Sequence, residues 1–402
     1  MKYTIHALAL AAKLVTSTPL PYPNTTTPTV VLHAGTVTGA ASNGVEYFRG
    51  IPYAQAPTGS QRLKPPVRLD RFANGSVQAT GVGPACPQQT NVDITPLLLE
   101  VFVIPGVAET LGFGGATGDV TEDCLTISVT RPKGAHVRSH KKLPVLFWIY
   151  GGGFENGSPQ MYDATSLVQE SVAQGKPMIF VAVNYRLGAF GFLGGDEVLK
   201  DGAANLGLLD QRMGLEWVAD NIEAFGGDKD AVTIWGQSAG AISVFDQLAL
   251  FDGDNTYKGC ALFRGAIMNS GSITPTEPVD GVKAQGIFDA VAEAAGCGSA
   301  GNSTKLECLR GVEYEMFLAA SNSVPSFLSY NSLAFSYAPR PDGRVLTASP
   351  EVLAEKGKYA AVPIIIGNQE NEVRRQDTKN IENELTIIPG HRLLPLPVKH
   401  HQ

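Results

Sequence analysis

The 402-residue sequence is poor in charge and contains no long hydrophobic run. Charged residues make up 17% of the chain, against about 25% in typical soluble domains, and the formal net charge is −7. Hydrophobic residues make up 44%, which is enough for a sizeable core and excludes intrinsic disorder of the whole chain. No basic stripe is present, so we expect no nucleic-acid partner. Beyond the N-terminus no run of 18 apolar residues occurs, so we expect no membrane-spanning helix.

Cysteine is scarce too, with five residues and no CxxC or Cys/His cluster of metal-binding spacing, so no metal or organic cofactor is expected. Cys297 and Cys308 flank a turn rich in Gly, Ser and Asn, which favours a local bridge. A bridge from Cys86 to Cys124 would close a long loop. Cys260 would then be the odd one, which we expect as a buried thiol. The residues alone leave the pairing open.

The N-terminus favours export. Met1-Lys2 precedes a short apolar stretch, 7–12, and then small residues, a pattern typical of a secretory signal peptide cleaved near Ser17. The alternative is a frayed N-terminal tail. Sequons at three positions predict glycosylation in a secreted protein: Asn24, Asn74 and Asn302. A fourth, at Asn156, counts for little because Pro159 follows closely.

Short, nearly continuous apolar runs recur along the chain, as in strands buried on both faces of a parallel sheet. They are 143–150, 178–183, 232–235, 265–268 and 362–366. Helical patterns lie between them, at 205–222 and at 279–295, where Ala284, Ile287, Val291 and Ala294 form an apolar face. Alternating strands and helices predict an α/β fold with a mainly parallel sheet.

The chemistry centres on Gly236-Gln237-Ser238-Ala239-Gly240, between the apolar run 232–235 and a helix-like stretch. Strand, G-x-S-x-G and helix in this order predict a nucleophile elbow, a strained turn that presents the Ser238 hydroxyl near a helix N-terminus. Upstream, Tyr150-Gly151-Gly152-Gly153-Phe154 ends another apolar run. Its glycines let backbone N–H groups approach an oxyanion, so we predict an oxyanion hole from the N–H groups of Gly152, Gly153 and Ala239.

At these residues the chain resembles the type-B carboxylesterase family, which includes cholinesterases and large secreted fungal lipases. Besides the two glycine motifs, several blocks between about residues 28 and 372 carry the resemblance: Arg49–Ala54, Glu122–Ile127, Asn184–Leu187, Asn205–Gln211 and Phe225–Asp228. The resemblance implies an α/β-hydrolase fold and a secreted serine esterase. It also implies the disulfides Cys86–Cys124 and Cys297–Cys308.

The resemblance also implies a lid and a Ser-Glu-His triad. The apolar stretch 94–107, inside the Cys86–Cys124 loop, would be a flap over an apolar site that touches a lipid interface; ordinary packing of a long loop is the alternative. Glu372, after the run 362–366, matches the triad acid, with Glu370 as its neighbour. Gln237 stands where many relatives have Glu, which disfavours cationic substrates.

The family pattern ends after Glu372, and no histidine has a matching context. We therefore assign no catalytic histidine and expect a C-terminally incomplete chain without ordinary turnover. The expected organisation is a signal peptide at 1–17, an incomplete hydrolase domain at 18–372 and a divergent, disordered tail at 373–402.

The expected activity is hydrolysis of a small-molecule or lipid carboxylic ester through an acyl-enzyme on Ser238. No feature of the sequence indicates a protein partner. The alternatives are a non-catalytic adhesion or binding relative, a truncated pseudoenzyme on the same fold, and a hydrolase of amides or thioesters.

Overall fold

The computed structural model describes residues 27–89, 119–135, 141–299, 302–327 and 335–368. The strands in these ranges are β1 Thr29–Leu32, β2 Gly35–Thr38, β3 Ala40–Ser42, β4 Val45–Pro52, β5 Ser76–Gln78, β6 Thr126–Pro132, β7 Leu143–Ile149, β8 Ile179–Val183, β9 Gly227–Gln237, β10 Thr256–Tyr257, β11 Cys260–Ala261, β12 Gly265–Asn269 and β13 Ile364–Gly367. The helices are α1 Thr165–Ala173, α2 Gly188–Phe192, α3 Asp196–Asp201, α4 Leu206–Asn221, α5 Ala239–Gly253, α6 Val282–Ala294, α7 Asn302–Gly311, α8 Tyr314–Ser321 and α9 Pro350–Glu355.

Eight strands form the central sheet, in the order β13-β12-β9-β7-β8-β6-β4-β3. The five strands from β13 to β8 run parallel, whereas β6, β4 and β3 pair antiparallel. The antiparallel end begins with a hairpin between β3 and β4 that turns at Asn43-Gly44, where both residues have positive φ as a tight hairpin requires. The sheet is therefore mixed, and its parallel half carries the sequence motifs.

The predicted strands are confirmed in the parallel half. All five residues of β8 are buried, because helices cover both faces of the sheet there. The predicted helix at 205–222 is α4, and that at 279–295 is α6, which starts three residues later than expected. In α6 the buried face differs from the predicted one: Phe288 is buried instead of Ile287, and Ala294 is exposed.

Strand β13 lies at the edge of the sheet in the described part of the chain and pairs only with β12. Its side chains alternate between half-buried and exposed, and Ile365 exposes 65% of its surface. An exposed edge strand with apolar side chains favours association with other chains.

Both disulfides implied by the resemblance are present, Cys86–Cys124 and Cys297–Cys308. The expectation that Cys260 is a buried thiol is wrong. Cys260 is exposed, because it lies in β11 of the two-stranded hairpin β10-β11, which turns at Lys258-Gly259 and is separate from the central sheet.

Several predicted features fall outside the described residues: the signal peptide 1–17, Asn24, most of the Cys86–Cys124 loop, Glu372 and the tail 373–402. Asn74 is described and exposed, as a glycosylation site must be, and Asn302 is the first residue of α7. Among the helices described, none is long and apolar enough to cross a bilayer.

The two disulfides differ in the loop that each one closes, 38 residues against 11 in sequence separation. Chain entropy in the unfolded state then predicts a stabilisation of about 4 kcal/mol for Cys86–Cys124 and about 3 kcal/mol for Cys297–Cys308. We expect the double Ser variant of the first pair to unfold at lower urea concentration than that of the second. An equal midpoint for the two variants would contradict the loop-length argument.

Candidate active site

Ser238 occupies the turn between β9 and α5, at the carboxyl end of the parallel strands. Its backbone has φ 55° and ψ −125°, a conformation that non-glycine residues rarely adopt and that costs about 1–3 kcal/mol. The turn is held from both sides. The Ser238 N–H donates to Asn269 O at 2.9 Å, and Ser238 O accepts from the N–H groups of Ala241 and Ile242. The strand, strained turn and helix that the G-x-S-x-G pattern predicts are therefore present, and the role of Ser238 as nucleophile stays a prediction.

The two glycines of the elbow are required by close backbone contacts. A Cβ atom on Gly236 would lie 2.2 Å from Gly240 O. A Cβ atom on Gly240 would lie 2.1 Å from Ile149 O and 2.8 Å from Tyr150 O. Since Ile149 ends β7, the start of α5 is pressed against the end of the neighbouring strand.

The triple-glycine loop follows β7 directly and lies against the elbow. A Cβ atom on Gly151 would lie 2.9 Å from Ser238 Cβ, so this loop and Ser238 are in van der Waals contact. Gly152 and Gly153 have φ of 115° and 66°, and both approach other groups closely. A Cβ atom on Gly152 would meet Asn156 O at 2.2 Å, and one on Gly153 would meet the Phe327 ring at 2.5 Å.

The three N–H groups assigned to the oxyanion hole come from this loop and from the first residue of α5. Gly152 O accepts hydrogen bonds from Glu155 and Asn156, which close the loop. In the described part of the chain, the N–H groups of Gly152, Gly153 and Ala239 donate to no protein acceptor. Three free donors and a helix N-terminus beside one serine form an environment that favours negative charge.

Buried tyrosines fix the start of the loop. The Tyr150 hydroxyl donates to Asn184 Oδ1 at 3.0 Å, and the Tyr185 hydroxyl donates to Tyr150 O at 2.8 Å. The two rings stack with centroids 4.5 Å apart. Burial raises the pKa of both tyrosines, so both hydroxyls stay protonated as donors. Tyr150 thus ties the triple-glycine loop to Asn184-Tyr185.

Glu155 is a buried carboxyl in this loop that the sequence analysis missed. Its Oε2 accepts from Phe327 N at 2.8 Å, while Oε1 has no partner. Burial raises the pKa of Glu155 to about 8, so the side chain is neutral at pH 7. Gln237 is neutral too, and it packs against Gly151. No signal in the sequence separates Glu155 from a surface glutamate.

The other triad positions lie outside the described residues or away from the elbow. Strand β13 ends at Gly367, whose O accepts a hydrogen bond from Ser270 N at 2.8 Å. Gly367 and Ser238 both lie at the carboxyl ends of the parallel strands. Glu372 lies four residues after Asn368, the last residue of the described ranges. His33, the one histidine in the described ranges, lies in the turn between β1 and β2 and is exposed.

A family model described as "Carboxylesterase family" matches residues 26–387. The chain belongs to the carboxylesterase family. The match runs past Glu372, where the family motifs quoted above end, so it includes the first residues of the expected divergent tail. The domain limits stay predictions.

Two curated fungal relatives illustrate the likeness. A secreted triacylglycerol lipase of Gibberella zeae is 56% identical over 350 residues, which cover 86% of this chain and 57% of the relative. Lipase 5 of Diutina rugosa is 46% identical over 366 residues, which cover 91% of this chain and 64% of that lipase. The chain therefore spans 57 to 64% of the length of these two relatives.

Solved structures of esterases confirm the α/β-hydrolase fold. EstA of Aspergillus niger superposes with a TM-score of 0.69 at 32% identity, covering 84% of this chain and 59% of that one. A thermophilic pNB esterase superposes with a TM-score of 0.68 at 33% identity, covering 86% and 64%.

The strain at Ser238 predicts an unusual order of stability. Glycine tolerates positive φ and alanine does not, so Ser238→Gly should be more stable than Ser238→Ala by about 1 kcal/mol, after the entropy that glycine gains in the unfolded chain. Urea unfolding followed by tryptophan fluorescence measures the difference. The matched control is the exposed Ser60, which lacks positive φ, and there the glycine variant should be the less stable one. The same order at both sites would contradict a strained elbow.

Proposed function

We propose that the protein is a secreted serine hydrolase that cleaves carboxylic esters through an acyl-enzyme on Ser238. The observation that supports it best is the strained turn of Ser238 in contact with a glycine loop. Beside that turn the N–H groups of Gly152, Gly153 and Ala239 are free. A binding module has no need of such a turn.

In this proposal Ser238 Oγ attacks the ester carbonyl carbon while a base takes its proton. The carbonyl oxygen becomes an oxyanion and accepts hydrogen bonds from the three N–H groups, each worth about 3–4 kcal/mol of barrier in a preorganised site. The tetrahedral intermediate expels the alcohol, which receives the proton from the base. Water then attacks the acyl-enzyme by the same route and releases the acid.

The base in the proposal is a histidine, and Glu372 orients it and stabilises its protonated form. Glu372 follows β13 in the sequence, and β13, like β9 before Ser238, is one of the parallel strands. His33 is not a candidate, because it lies in the separate three-stranded sheet. No histidine is assigned to the role.

The substrate class in the proposal is a small-molecule or lipid ester, since the two curated relatives are named as lipases. Gln237 adds no negative charge beside Ser238, in keeping with neutral substrates. The Cys86–Cys124 disulfide anchors both ends of the expected lid. Two disulfides also favour an oxidising, extracellular location, with Asn24, Asn74 and Asn302 as glycosylation sites.

The proposal predicts that Ser238→Ala lowers hydrolysis of a short p-nitrophenyl ester by about 10⁴-fold or more, because the covalent route is lost. The measurement uses kcat/KM of a protein continued to the length of its relatives, alongside the 402-residue chain. Mass spectrometry after reaction with a fluorophosphonate should place the label on Ser238. The exposed Ser60→Ala variant serves as the control and should keep full activity.

Retention of most activity by Ser238→Ala would remove Ser238 as the nucleophile. A preference for the matching amide or thioester would replace ester hydrolysis by one of the alternative reactions. Normal Ser238-dependent turnover by the 402-residue chain itself would require a base among His391, His400 and His401.

A further inference from the structure

Asp246 is a buried carboxyl that the proposed reaction does not use. It lies on α5 and is 0% exposed, and neither of its carboxyl oxygens has a hydrogen-bond partner. Buried carboxyl groups are nearly always hydrogen-bonded, because an unpaired one forfeits its hydration without compensation. The arrangement therefore requires a missing partner or a neutral side chain.

The side chain borders a small cavity next to the elbow. The walls are mostly apolar and include Phe154, Ile242 and Phe335. The space open to the centre of a water molecule is about 10 Å³, which is enough to hold one water. Ile242 and Asp246 are four residues apart, so they share one face of α5, whose first turn follows Ser238. The cavity therefore lies between the first turns of α5 and Phe154, the residue that follows the triple glycine.

A second polar group on the cavity wall is also unsatisfied. Thr276 Oγ1 is buried and has no partner, although the Thr276 N–H donates to Ser349 Oγ at 3.0 Å. Thr274, on the same wall, already donates its hydroxyl to Ser272 O. Two unpartnered groups from different segments, Asp246 and Thr276, therefore face one cavity.

No charged group neutralises Asp246 in the described part of the chain. The titratable groups on the neighbouring segments have other partners: Glu155, Asp210, Arg212, Glu277, Arg340 and Glu351. Arg212 binds Asp254 O and Thr256 O through Nη2, and its unpartnered Nη1 makes no hydrogen bond to Asp246. Arg340 pairs with Glu277, and Arg186 pairs with Asp210, so neither Arg340 nor Arg186 is available to Asp246. Burial alone raises the pKa of Asp246 to about 8.

We propose that the cavity is an internal binding site for one water molecule, which bridges a neutral Asp246 carboxyl group and the Thr276 hydroxyl. The carboxyl O–H donates to the water, and the water donates to Thr276 Oγ1. The bridge supplies the missing partners and joins α5 to the segment after β12, directly behind the nucleophile turn. The proposed water site does not rest on the proposed function, because a bound water molecule needs no substrate.

The test uses the 402-residue chain and two substitutions. Asp246→Asn keeps the size and hydrogen bonding of the side chain but cannot ionise, whereas Asp246→Leu removes the polar partner. A crystal structure should show one water within hydrogen-bond distance of residues 246 and 276 in the wild type and in Asp246→Asn. A dry cavity in the wild type would overturn the proposal.

Protonation is tested by urea unfolding between pH 5 and 9. The folded state holds the Asp246 proton up to about pH 8, whereas the unfolded chain releases it near pH 4. Raising the pH therefore favours unfolding of the wild type. Its unfolding constant relative to Asp246→Asn should rise about tenfold per pH unit up to about pH 8, then level off. A constant ratio would overturn the neutral carboxyl.

Glu155→Gln provides the matched control. It removes another buried carboxyl whose pKa is raised to about 8, so it should change the pH dependence in the same direction. It should leave the water between Asp246 and Thr276 in place, because Glu155 binds Phe327 N instead. Loss of that water in Glu155→Gln would contradict its assignment to Asp246. In the infrared, the protonated-carboxyl band at pH 7 should weaken in Asp246→Asn and in Glu155→Gln alike, because each variant removes one neutral carboxyl group. An unchanged band in Asp246→Asn would also overturn the proposal.

Discussion

The backbone contact between the start of α5 and the end of β7 is the constraint on which the rest of the site depends. Gly240 lies so close to Ile149 O and Tyr150 O that a methyl group would overlap both. Between β9 and α5, which this contact holds close to β7, Ser238 has positive φ. The triple-glycine loop continues from the same strand end, and its Gly151 lies against Ser238.

Buried ion pairs fix the loops that surround that contact. Arg186 binds Asp210 through two nitrogens at 2.8 and 2.7 Å, and both side chains are nearly inaccessible. Arg62 and Glu122 form a second bidentate pair, at 2.6 and 2.8 Å. Removing one member of such a pair leaves a buried charge and costs about 3–5 kcal/mol. Three of the family motifs in the sequence are thus explained by buried ion pairs that fix loops, without contact to a substrate.

Neutral acids give the site its electrostatic character. Glu155 lies in the glycine loop and Asp246 on α5 after the elbow, and burial raises the pKa of both to about 8, which favours the protonated forms at neutral pH. Gln237 replaces a further carboxylate beside Ser238. These three residues therefore place no carboxylate charge around the Ser238 turn.

The sequence by itself determined the parallel strands, two of the helices and the strained turn at Ser238. Apolar runs mark buried strands, and G-x-S-x-G and the triple glycine mark backbone contacts, since both signals are local in the chain. Only the tertiary structure decided which groups are buried. Cys260 is exposed although cysteines are usually buried, because its hairpin stands apart from the sheet. Phe288 instead of Ile287 faces the core in α6, because the neighbouring helices set the rotation of that helix. Glu155 and Asp246 read as ordinary acids in the sequence, because burial and missing partners arise from residues far apart along the chain.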